Sequence, residues 1–226
     1  MPARPILLAL TAVAAAWIIW TMLGPGRRPD GWKTTALALC LATLGYHGWM
    51  EYRWQQTEHT MTAAAALIAG PDATVHCQRF TEALLYTRNA RGLVEYGQTG
   101  PTREALITWE TCQAFRDWLT SDKTNPTDAQ ILAVHILTHE AAHLRGERNE
   151  AAAECDAMQW MPLIAEHLGA PRQATARMSA WYLTAMYPRM PTAYQSGNCQ
   201  PNGTLDLHPG TPGWPRADTL PPTPTR

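Results

Sequence analysis

The chain has 226 residues, 46% of them hydrophobic and 16% charged, with a formal net charge of −1. That hydrophobic content excludes a disordered protein, and the near-zero charge gives no electrostatic case for binding nucleic acid. Neither a basic stripe nor a Gly-rich phosphate loop supplies one.

In chain order, the first feature is an uncharged run over residues 5–23. It is about 19 residues long, close to what crosses a bilayer as a helix. Trp17 and Trp20 near its end suit an interfacial belt. A second uncharged run, residues 34–50, is shorter and is interrupted by Gly45, His47 and Gly48, with Trp49, Tyr52 and Trp54 at its end. The pattern predicts a membrane anchor over residues 1–54, built as a transmembrane hairpin of 5–23 and 34–50. Pro25 and the bulky pair Met22-Leu23 argue against a cleaved signal peptide. The loop 24–33 carries Arg27, Arg28 and Lys33, against Arg4 in the N-terminal tail. The positive-inside rule then predicts a multi-pass protein of the cell membrane with its catalytic domain on the extracytoplasmic side. If residues 34–50 do not cross, the same charges leave that domain inside.

The rest predicts one domain over residues 55–208, mainly α with a short strand or hairpin near 91–108. Residues 51–70 read as a helix that Gly70-Pro71 ends. Residues 76–88 fit a short helix or strand, Gly92 to Gly97 a strand, and Gly100-Pro101 a turn. Ala105 to Thr120 reads as helix, with Leu106, Trp109, Phe115, Trp118 and Leu119 as its apolar face. Helical patterns continue over 127–145, from Glu150 to Pro162, over 163–168 and over 172–187. Residues 209–226 are Pro-rich and read as a disordered tail.

The chemistry is concentrated at His139-Glu140-Ala141-Ala142-His143, an HExxH string. Thr127 and Gln130 form a capping box ahead of it, Ile131, Val134, Ile136, Leu137 and Leu144 make the helix apolar, and Gly146 ends it. Residues four apart share one helix face, so His139 and His143 can share one Zn²⁺, and Glu140 lies beside them as a general base for a metal-activated water. Glu147 continues the series but fails on distance, because eight residues of helix rise about 12 Å. His135 fails with His143 for the same reason and fits a core or supporting role. After the Gly146 turn, Glu150 and Glu154 lie four apart on the next helix. One can bind the metal while the other accepts the free N–H of a ligand histidine. Glu150 is assigned to the metal and Glu154 to the outer position, with the swap as the alternative.

HExxH followed by a helix that carries Asn-Glu-x-x-x-acid resembles the gluzincin branch of the zinc metallopeptidases, in its minimal form, over roughly residues 127–162. The resemblance implies a zincin-like fold, a Zn²⁺ cofactor, a peptide or protein substrate, His139, His143 and Glu150 as ligands, and Glu154 as the acid that orients a histidine. It also implies a sheet edge that holds extended substrate, for which residues 92–97 are the candidate. The string fits the metzincin pattern HExxHxxGxxH as well, except that Asn149 stands at its last position, and a neutral amide is a poor zinc ligand. Tyr182, Tyr187, Tyr194, His167 and His208 are open candidates for the donor that steadies an oxyanion.

Cys40 lies in the second apolar run. Cys77, Cys112, Cys155 and Cys199 remain, and their even number fits two disulfides in an oxidising compartment. Order in the chain suggests Cys77–Cys112 and Cys155–Cys199; the alternative is four free thiols in the cytosol. No CxxC pair suggests a zinc role for them. The competing functional readings are a non-enzymatic membrane protein with a structural zinc, and an envelope-associated assembly or lysis factor.

Overall fold

The computed structural model describes residues 3–23, 30–85, 90–98, 100–217 and 219–221. The chain divides into two units, residues 1–56 with 80–86, and residues 57–79 with 87–226.

The first unit holds helix α1 (Ala3–Leu23), the first part of helix α2 (Gly31–Ala69) and, after strand β1 (Thr74–Cys77), the short helix α3 (Phe80–Leu85). Among the described residues no helix is long and apolar enough to cross a membrane. The expected transmembrane hairpin and the multi-pass, extracytoplasmic location are therefore withdrawn. The second expected span and the helix expected over 51–70 are one continuous helix, α2, which carries Lys33, Glu51, Arg53 and Glu58. Arg27 and Arg28, on which the expected orientation rested, lie outside the described residues.

The second unit is mainly helical around a small sheet. Strand β2 (Gly92–Gly97) and strand β3 (Gly100–Ile107) form the hairpin, and the sheet order is β1-β3-β2, with β1 parallel and β2 antiparallel to β3. β2 is thus an edge strand. Helix α4 (Trp109–Leu119) starts later than expected, because Ala105, Leu106 and Ile107 finish the central strand, each paired to β1 and also, in order, to Val94, Leu93 and Gly92 of β2. Their apolar side chains suit a strand with neighbours on both edges as well as they suit a helix face. Helices α5 (Asp128–Arg145), α6 (Glu150–His167) and α7 (Arg172–Trp181) follow. A π-helical turn, Tyr182–Met186, then replaces the expected end of the 172–187 helix.

α5 runs through the middle of this unit, buried at all but a few positions between Ile131 and Leu144. Ala73, Val94, Ala105 and Leu144 pack the sheet against it. The expected capping box is present, with Thr127 Oγ1 accepting from Gln130 N–H and Gln130 Oε1 accepting from Thr127 N–H. Gly146 closes the helix at φ +117°, a conformation that L side chains rarely adopt. Asn149 Oδ1 accepts from Ala152 N–H at 2.9 Å and so starts α6 three residues after the turn.

The two disulfides pair Cys77 with Cys112 and Cys155 with Cys199, as chain order suggested. The described part of the Pro-rich segment is packed against the domain. Arg216 makes a two-pronged ion pair with Glu166 at 2.8 and 3.0 Å, Ala217 N–H donates to Gln159 O at 3.0 Å, and Ala217 is buried. Residues 222–226 of the expected tail lie outside the described residues.

Candidate metal centre

His139 and His143 lie one turn apart on α5, and the Gly146 turn brings Glu150, the first residue of α6, back over them. His139 Nε2 and His143 Nε2 are 3.0 Å apart, and each is 3.2 Å from Glu150 Oε2. Three donor atoms thus converge on one point. Ligand atoms on a tetrahedral ion with bonds of about 2.0–2.1 Å are separated by about 3.3–3.4 Å, so the triangle needs only a slight expansion to seat one. The two buried histidines and the partly exposed Glu150 can hold a metal ion.

Each histidine is held from behind by its other nitrogen. His143 Nδ1–H donates to Glu147 O at 2.6 Å, which leaves Nε2 as a bare lone pair. His139 Nδ1 lies 3.1 Å from Glu154 Oε2, as an ion-pair contact rather than an in-line hydrogen bond. Glu154 is fully enclosed. Its Oε1 sits 3.1 Å from His135 Nε2 and accepts from the Tyr182 hydroxyl, and the Tyr182 ring stacks on His135 with centroids 3.7 Å apart. Glu150 thus faces both Nε2 atoms, and Glu154 stands behind the His139 ring. His135, His139 and Glu154 are also close enough to one another to suggest a metal set. There, however, the two carboxylate oxygens face different rings and Tyr182 closes the far side. That is the geometry of a polar network, whereas Glu150 keeps 42% of its side chain exposed.

The charges follow from these contacts. Burial alone would raise Glu154, but His135 and His139 outweigh it and hold the carboxyl well below the usual range. Burial would lower His139, but Glu150 and Glu154 outweigh it and raise the metal-free imidazole to about 10. Hydrogen bonding to His139 holds Glu150 low. Glu140 behaves in the opposite way. Burial pushes it up to about 7, with Glu150 adding and His139 opposing. Its Oε2 is buried and has no hydrogen-bond partner among the described residues. An unpartnered buried carboxylate oxygen next to three converging donors fits a site that expects a further group there.

The remaining candidates separate cleanly. Tyr194 shares the cleft with His139 and Glu140, its ring centroid 5.9 Å from that of His139. Burial raises its hydroxyl, and Glu150, Glu140 and Glu154 add to this, so it stays a donor at neutral pH. Tyr182 is committed to Glu154. Tyr187 OH accepts from Ser196 N–H at 3.0 Å, His167 ends α6, and His208 N–H donates to Asp206 at 3.0 Å. Glu147 contributes its carbonyl to His143, while its carboxylate accepts from Asn149 N–H at 2.7 Å.

Sequence reasoning placed Tyr96 and Gly92 in the candidate substrate edge but missed their contacts with Glu147 and Glu140. The Tyr96 hydroxyl donates to Glu147 O at 2.5 Å and lies 3.2 Å from His143 O, while Arg148 stacks over its ring at 4.9 Å. A Cβ on Gly92 would lie 2.3 Å from Glu140 Oε1, so only glycine lets β2 pass the carboxylate. A glycine opening an edge strand was the available signal; nothing local marked Tyr96.

No family model, no curated protein and no solved structure matches this chain.

Proposed function

We propose that the protein is a zinc-dependent peptidase of the minimal gluzincin type, with His139, His143 and Glu150 as ligands and Glu140 as general base. The observation that carries this is the triangle of Nε2, Nε2 and Oε2 at 3.0–3.2 Å with the orphaned Glu140 oxygen beside it. Two imidazoles and one carboxylate form a donor set that suits Zn²⁺. A closed structural site would need a fourth protein ligand. The two candidates that the sequence offers are already engaged, His135 against Glu154 and the Glu147 carboxylate on Asn149.

An ion in this site supplies Lewis-acid polarisation of a carbonyl and acidifies water towards neutrality. Glu140 Oε2 accepts the proton of the attacking water and returns it to the leaving amine, a role that suits a carboxyl titrating near neutrality. The Tyr194 hydroxyl donates to the oxyanion that develops on the carbonyl. β2 offers its free edge to an extended peptide, and Gly92 keeps that edge close to Glu140.

The test is metal content by mass spectrometry together with cleavage of a peptide library by the full chain. Glu140→Gln is expected to retain zinc and to lose a factor on the order of 10²–10⁴ in turnover, while His143→Ala loses the metal. Wild-type turnover by Glu140→Gln would end the base assignment.

A further inference from the structure

Beside the three converging donors, His139 and Glu140 border a cavity of about 270 Å³. Three other polar groups on its wall, His135, Glu154 and Tyr182, are held against one another. The Tyr194 hydroxyl is given to the oxyanion in the reading above. Arg91 is left, the one Lys or Arg side chain in the lining. It is exposed, and among the described residues its guanidinium has no hydrogen-bond or ion-pair partner. Its backbone is fixed. Thr108 N–H donates to Arg91 O at 2.9 Å, which carries the β2–β3 pairing one residue past the strand. The next residue, Gly92, lies against Glu140. The cation is therefore attached one residue, about 3.8 Å of chain, from the closest approach to the general base.

We propose that Arg91 is a specificity residue that binds a carboxylate of the substrate, either the C-terminus of a peptide or an acidic side chain beside the cleaved bond. The inference rests on the peptidase reading above. A guanidinium presents paired N–H donors that match a carboxylate, and this one is unspent while it shares a cavity with Glu140, whose Oε2 also lacks a partner among the described residues. The acids of the wall, Glu140 and Glu154, repel an anion, so a substrate carboxylate is favoured only at the Arg91 end. The volume falls short of the roughly 300–1,000 Å³ of pockets for drug-sized ligands, and it suits a chain end or one side chain rather than a long segment. A peptide paired with the free edge of β2 meets Arg91 where that strand begins.

The experiment uses the zinc-loaded full chain and one short peptide in four forms, free or amidated at its C-terminus and with glutamate or glutamine at its central position. One of the two changes, acid to amide or glutamate to glutamine, is expected to lower kcat/KM about tenfold, near the lower end of what a hydrogen bond to a charged group contributes. Which change does so names the source of the carboxylate. Arg91→Ala is expected to remove or invert that preference. Arg91→Lys, which keeps the charge without the fork, is expected to retain part of it. An arginine with a merely structural role would lower all four rates together and leave the preference intact. That result, or equal rates for the four forms in the wild-type chain, would overturn the carboxylate role and leave the peptidase reading standing. Where none of the four is cleaved, calorimetry on the same zinc-loaded chain reads Arg91. Tenfold tighter binding of a carboxylate form, abolished by Arg91→Ala, supports the role, and equal binding of the four overturns it. The peptidase reading itself falls only if nothing in the peptide library is cleaved.

Discussion

His139 and His143 are the same residue in the same motif, yet the two ends of the metal centre hold them by different means. His139 leans on a buried carboxylate, which in turn touches His135 and Tyr182. His143 leans on a backbone carbonyl, which exists because the chain turns at Gly146. One end is electrostatic and depends on three side chains. The other is conformational, and no side-chain change can delete its acceptor. Both leave Nε2 free, so equivalent ligand chemistry is reached by unequal supports. The charged support is the more fragile, because removing one member strands the others in a dry environment.

The largest effect is therefore expected at Glu154. Glu154→Ala leaves His135 and His139 buried without their carboxylate, at a cost of about 3–5 kcal/mol in stability and a 10–100-fold loss of metal affinity. Chemical denaturation of the metal-free protein and a competitive chelator titration read the two numbers. A melting curve like that of wild type would remove the distinction between the two ends.

The same asymmetry predicts a pH signature. Glu154 is held well below its ordinary 4.5, so its contribution is present above pH 4.5 and disappears as pH falls. Glu140 is raised from 4.5 to about 7, so its contribution is complete below pH 4.5 and is lost as pH rises through about 7. Stability of the chelated protein is then expected to fall on both sides. Glu154→Gln should flatten the acid limb, which the conformational end does not share. Denaturant midpoints from pH 2.5 to 8 measure this, and an unchanged acid limb in Glu154→Gln would assign that limb to other groups. One such group is Glu58, which burial would raise but which His76 and Arg79 bring down to about 2.

At the conformational end, Gly146→Ala forces an L side chain into a φ of +117°. The expected cost is about 1–2 kcal/mol. Its more telling readout is zinc affinity, because the substitution displaces the Glu147 carbonyl rather than any ligand. Full affinity at reduced stability would show that the turn does not position His143.

The parts of this site that were legible in the sequence are the local ones. A capping box, an i, i+4 pair of histidines and a terminating glycine are each written within a few residues, and α5 follows them closely. The Glu150 and Glu154 spacing was equally local, and β2 lies where its flanking glycines put it. What failed was non-local. Ala105 to Ile107 carry no mark of being central to a sheet until β1 and β2 flank them. Residues 34–50 were read as a span because they lack charge, yet Thr, His, Gly, Trp and Tyr make an uncharged run far from uniformly apolar. Proline density suggested a loose tail, but Arg216 finds Glu166, a residue 50 positions away. Tyr194 could not be chosen from five candidates because only folding brings it beside His139.

The smallest expected effect separates support from position at the His143 end. Tyr96 donates to the same Glu147 carbonyl that His143 uses, so Tyr96→Phe removes a second donor and leaves the acceptor in place. The stability loss should be about 0.5–1.5 kcal/mol, the net value of one hydrogen bond. Zinc affinity should stay within about threefold, since His143 keeps its own anchor. The matching change at the other end, Tyr182→Phe, removes a donor from a buried carboxylate and should cost more, about 1.5–3 kcal/mol. If the two phenylalanine variants lose stability equally, the charge on Glu154 adds nothing to what a carbonyl provides, and the two ends of the site are equivalent after all.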